Sequence, residues 1–175
     1  MRNWFFGQMA MYAAYHRDTR NQATHHVGVP AIVFSLMVLA AQVPIAMTDA
    51  GPLTLAAILI ALLLLVYLVA VPLVGMVAVL VYGTLLYLAE GVPAGLVWPV
   101  FGLAFVGGWI VLFIGHAFEG RRPALFSNLL QVFMAPAFLI MEILFACGLL
   151  GAVKTEIEAR MPAFLPEHGK DGAAA

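Results

Sequence analysis

Four of the five histidines, His16, His25, His26 and His116, lie in two polar segments beside long apolar runs, and histidine is the commonest metal ligand. His16 and His25 are nine residues apart, which sets them on opposite faces of a continuous helix at 3.6 residues per turn. The chain must therefore bend between them if both are to reach one point. Asp18, Thr19 and Asn21, which favour turns and helix starts, supply the place. His25 and His26 are neighbours and cannot both face that point from one regular helix. His116 and Glu119 are three apart and share a helix face. Glu119 then has two readings: it completes a His-and-carboxylate site, or it pairs with Arg121 or Arg122 at the surface. Two histidines and a carboxylate with open positions suit non-haem Fe(II) and oxygen chemistry, whereas three histidines and a carboxylate suit zinc as well. Glu142 is the one ionisable side chain in the middle of an apolar run; its readings are a functional carboxylate or a neutral acid bonded to a neighbouring helix. His168 stands apart in the tail and reads as a solvated residue.

The elements that must position these residues are apolar. Of 175 residues, 64% are hydrophobic and 10% charged, against about 25% charged in soluble domains, so the expected fold is an all-α polytopic membrane bundle. A span needs roughly 20 apolar residues. Pro30 to Met47 is uncharged and closes on the turn-forming cluster Thr48, Asp49, Ala50, Gly51 and Pro52. Leu53 to Ala89 runs 37 residues without a charge, roughly 55 Å as one helix, and must fold back, with Pro72 and Gly75 as the breakers. Val97 to Gly115 and Leu125 to Val153 follow. The working count is about five transmembrane helices, preceded by a short N-terminal helix whose Trp4, Phe5, Met11, Tyr12 and Tyr15 suit a membrane interface. Residues 1–153 read as one membrane-embedded catalytic domain and 154–175 as a polar, disordered tail.

Four spans separate the two histidine segments, and an even number returns the chain to the same side. Arg2, Arg17, Arg20, Arg121 and Arg122 mark that side as cytoplasmic by the positive-inside rule. The composition, rich in Ala, Leu and Val, suggests a bacterial inner membrane and a lipid bilayer as partner. A net charge of −1 without a basic block excludes a nucleic-acid partner. Cys147, the single cysteine, excludes intramolecular disulfides and cysteine-based metal knuckles. Gly102, Gly107 and Gly108 allow close helix packing within one chain or in a homo-oligomer.

Two blocks of sequence add a resemblance. Tyr15-His16, then Asn21, His25 and Gly28-Val29-Pro30 form the first. Gly115-His116-Ala117-Phe118-Glu119-Gly120-Arg121-Arg122-Pro123-Ala124-Leu125, continued by Asn128, Ala135-Pro136 and Glu142, forms the second. Together they resemble the signature of the Mpo1-like family of iron-dependent 2-hydroxy fatty acid dioxygenases. The resemblance implies Fe(II) held by His16, His25 and His116, with His26 as a neighbouring contact. Glu119 then assists catalysis. Arg121 and Arg122, with Asn21 and Tyr15, become substrate-binding candidates, guanidinium matching a carboxylate bidentately. The implied substrates are a long-chain 2-hydroxy fatty acid and O2, and the implied product is a fatty acid one carbon shorter. The competing reading is a small transporter or channel in which His116, Glu119 and Glu142 form a proton or cation path. A diiron desaturase or hydroxylase needs more histidines than the four available.

Overall fold

The computed structural model describes residues 2–49, 51–120 and 128–165. Seven α-helices stand among them: α1 (Arg2–Tyr15), α2 (Thr19–Ala40), α3 (Leu55–Ala70), α4 (Pro72–Glu90), α5 (Val97–Glu119), α6 (Gln131–Ala146) and α7 (Gly151–Arg160). Between α2 and α3 lies a small antiparallel hairpin of β1 (Pro44–Thr48) and β2 (Gly51–Thr54), Thr48 opposite Gly51. Of the cluster read from sequence as the close of a first span, Thr48, Gly51 and Pro52 lie in these two strands.

The helix boundaries follow local chemistry. Asp18 caps α2, its side chain accepting from the amide of Arg20. Thr54 caps α3 in the same way through Ala57, and its hydroxyl also donates to Glu90. The long charge-free stretch breaks where proline predicts: Val71 is extended and Pro72 occupies the first turn of α4. Gly75 lies inside α4, where the two helices come together. A Cβ there would sit 2.4 Å from the Leu68 Cα.

The centre of the fold is the antiparallel pair α2 and α5, seamed by glycine. A Cβ on Gly28 would come within 2.9 Å of the Gly108 carbonyl oxygen, and one on Gly108 within 3.0 Å of the Gly28 oxygen. A Cβ on Gly115 would sit 2.0 Å from Thr24 Oγ1 and 2.5 Å from Asn21 Oδ1. Gly108 thus serves packing within the chain, whereas Gly102 and Gly107 face open space. Around this pair, α3, α4 and α6 close one side, with the Tyr67 hydroxyl of α3 donating to the Phe133 carbonyl of α6.

Several expectations are corrected here. Among the described residues three helical segments, not five, have the length and apolar character to cross a membrane: Thr19–Ala40, Pro72–Glu90 and Ala94–Glu119. The helices α3 and α6 are 16 residues each, about 24 Å at 1.5 Å per residue, short of a hydrocarbon core of about 30 Å. The five-span bundle therefore falls, because apolar composition was read as helix length. With it go the transmembrane description, the even-span argument and the placement in a bacterial inner membrane with the site on its cytoplasmic face. Nor is α1 an interfacial helix. Its Phe5, Phe6, Met9, Ala10, Tyr12, Ala13 and Ala14 are buried against α3, α6 and α7. Beyond α6, α7 packs on α1, with the Arg160 guanidinium donating to the Asn3 carbonyl. His168 lies outside the described residues.

Candidate metal centre

The three ligand positions come from three separate elements. His16 immediately follows α1, His25 lies in the second turn of α2, and His116 lies in the last turn of α5. The break required between His16 and His25 is present at residues 16–18, closed by the Asp18 cap. Arg20, bonded to Asp18 through both Nε and Nη2, holds the Asp18 carboxyl down at about 2. The Gly115 contact then brings the end of α5 against the first turns of α2, so His116 arrives beside His25.

The result is a cluster of three imidazoles, 3%, 3% and 6% exposed for His16, His25 and His116. Their ring centroids are 4.6, 5.2 and 5.0 Å apart. One nitrogen from each lies within 4.8 Å of the other two. Two rings have their tautomer set by the backbone. His16 Nδ1 is 2.7 Å from the Tyr12 carbonyl oxygen, and His25 Nδ1 is 2.8 Å from that of Asn21. A carbonyl only accepts, so in each ring Nδ1 carries a proton. His16 is also stacked on Tyr12, centroids 4.0 Å apart at 12°. Burial lowers His25 to about 4, which keeps it the neutral base that coordination requires. Three buried imidazoles, each offering a nitrogen within 4.8 Å of the others, fit a divalent transition ion.

Glu119 is not part of this group. Its carboxylate accepts from the amide of Arg17 (3.1 Å to both oxygens), from the amide of Asp18 (2.8 Å) and from Asn21 Nδ2 (3.1 Å). Asn21 is fully buried on this carboxylate. His26 turns to another face of α2, where its Nε2 lies 3.3 Å from Glu142 Oε2. Burial lowers His26 and raises Glu142 to about 7. Tyr15 is half-buried at the end of α1. Arg121 and Arg122 lie outside the described residues.

Two cavities have His16 in their walls. One, of about 70 Å³, is lined by all three histidines and by Val29, Ile32, Trp109 and Leu112 among others, with Gln131 as its other polar side chain apart from Tyr12. Ile32 and Trp109 each stand seven residues from His25 and His116. The chamber therefore extends about two helical turns, roughly 10 Å, from the cluster. The second cavity, of about 580 Å³, carries charge: Arg17, His26, Glu142, Lys154 and Glu158 line it with His16. Neither lining includes Asn21 or Tyr15. Sequence reasoning missed Tyr12 and Gln131 as site residues. The signal for Tyr12 was its position four residues before His16, the same interval that separates Asn21 from His25; Gln131 had none beyond being polar in an apolar run.

Three buried histidines able to hold a metal ion, beside an apolar cavity, make this a candidate metalloprotein. Comparison with known proteins gives the family. The profile described as "2-hydroxy-palmitic acid dioxygenase Mpo1-like" matches residues 3–147, and the chain belongs to this family. It is 31% identical over 169 residues to the 2-hydroxy-palmitic acid dioxygenase MPO1 of Saccharomyces cerevisiae, covering 86% of each chain. No solved structure matches.

Proposed function

We infer that this protein is an Fe(II)- and O2-dependent dioxygenase that removes one carbon from long-chain 2-hydroxy fatty acids. The observation that carries the reading is the buried triad of His16, His25 and His116 at the head of an apolar chamber. Family membership gives the reaction class.

His16, His25 and His116 are the iron ligands, and the Tyr12 and Asn21 carbonyls hold the first two in the correct tautomer. Held there, Fe(II) would supply the binding of a 2-hydroxy acid and the activation of O2. The three imidazoles bring no negative charge, so an anionic substrate balances the cation in a region of low dielectric. That favours a carboxylate head group over an alcohol or amide. Val29, Ile32, Trp109 and Leu112 receive the alkyl chain next to the head group, where each buried methylene contributes about 0.8 kcal/mol, and the same walls exclude water from the reacting carbons. Arg121 and Arg122 are proposed to hold the substrate carboxylate before it reaches the cluster, guanidinium pairing with it bidentately. A proton or cation path through His116, Glu119 and Glu142 is disfavoured, because Glu119 is engaged with the α1–α2 junction and Glu142 faces the other cavity.

The test is anaerobic loading of the purified protein with Fe(II), addition of 2-hydroxypalmitate and O2, and mass spectrometry of the products. Pentadecanoate that depends on iron and is absent with His116→Ala is the expected result. Unchanged substrate, with about one iron bound per chain, overturns the reaction assigned.

A further inference from the structure

The histidine cluster draws on three segments far apart in sequence, and one side chain joins all three. Glu119 stands three residues after His116 on α5. Its two oxygens accept from the amides of Arg17 and Asp18, the first two residues after His16. They also accept from Asn21 Nδ2, and the Asn21 backbone carbonyl is the acceptor for His25 Nδ1. Every ligand is thus within a few bonds of this carboxylate. His16 is additionally tied to α2 by Gln22, whose Nε2 donates to the His16 carbonyl oxygen at 3.0 Å. The free amides at the start of a helix attract a carboxylate, so the negative charge of Glu119 is matched where it sits and is not available as a ligand.

We propose that Glu119 is a positioning residue for the metal centre: it draws the end of α5 onto the α1–α2 junction and so sets the distances among His16, His25 and His116. The proposal rests on the metal-centre reading and assigns Glu119 a role without contact to metal or substrate. A glutamine in its place keeps the shape but turns an amide group toward backbone donors. An aspartate keeps the charge but falls one methylene short. Outer partners of metal ligands typically change metal affinity by about 10–100-fold when removed.

Binding of Co(II) alone to the full chain, followed by its d–d absorption, separates positioning from general stability. Thr54→Ala is the control, since it removes a helix cap at α3 far from the histidines. Glu119→Gln and Glu119→Ala are expected to weaken Co(II) binding about 10-fold or more and to alter the absorption bands. Glu119→Asp should recover part of the loss. Thr54→Ala should lower the melting temperature yet leave affinity and spectrum as in the wild type. The glutamine variant decides the matter alone if the alanine variant does not fold. Co(II) affinity within about twofold of wild type in Glu119→Gln, with an unchanged spectrum, overturns the proposal, as does an equal loss in Thr54→Ala. A wild-type chain that binds no Co(II) removes the metal centre itself, whereas normal Co(II) binding without turnover of 2-hydroxypalmitate removes only the reaction assigned above.

Discussion

His25 and His26 are adjacent in the chain and differ in almost every physical respect. His25 points into the α2–α5 seam, where glycine brings two backbones together. Its proton is held by a carbonyl, and its remaining nitrogen faces two other imidazoles. His26 points toward α6, into a cavity of about 580 Å³ with charged walls, and meets a carboxylate. On the first face, two of the three imidazoles are held by backbone carbonyls. On the second, a base and a half-buried acid meet at the wall of the larger cavity. One residue of register, a rotation of 100° on a helix, therefore separates a metal ligand from a surface-type pair. Residue type alone does not make a ligand; the face does.

The largest effect should appear when the two neighbours are exchanged for alanine in turn. His25→Ala is expected to lose bound iron and to reduce turnover of 2-hydroxypalmitate at least about 10³-fold, as removal of an essential group does. His26→Ala should retain about one iron per chain and keep turnover within several-fold. Iron analysis alongside the product assay checks both, and equal losses in the two variants would erase the distinction between the faces.

A smaller effect is expected in the pH dependence of stability. Burial raises Glu142 from 4.5 to about 7 in the folded chain. Between those values the folded state holds a proton that the unfolded state has released, so stability falls as pH rises through this window. It is fully present below 4.5 and levels off above 7. The loss amounts to no more than about 3.5 kcal/mol, reduced by whatever His26 contributes as partner. Glu142→Gln should flatten the curve over the window, as read by thermal melts across it. A variant whose melting temperature changes with pH as steeply as the wild type would show that Glu142 is not the group responsible.

How far the site could be read from sequence depended on whether its determinants were local. The break between His16 and His25 was readable, since Asp18 and Thr19 carry capping chemistry that acts within two residues. So was the turn at Pro72. The meeting of His116 with the amino-terminal histidines was expected for a reason that failed, the even count of full spans. The reason that holds is the direct pairing of Gly28, Gly108 and Gly115 with α2 and α5 backbone and side chains, and a glycine does not announce its partner. Glu119 was read as a ligand or a surface ion pair because its actual acceptor role joins residues about 100 positions away. The N-terminal helix was misplaced because Phe5, Phe6, Met9 and Tyr12 would suit a membrane interface as well as the core they enter. Apolar content has the same ambiguity: it does not set where a helix stops, and that cost the span count.

The most direct test of the central claim is iron K-edge absorption fine structure on the Fe(II)-loaded protein, compared with Glu119→Asp. Three imidazole ligands from the protein, with the same three in the variant, are the predicted result. A protein carboxylate in the first coordination sphere of the wild type that vanishes in a Glu119 variant, or fewer than three imidazoles, would contradict it.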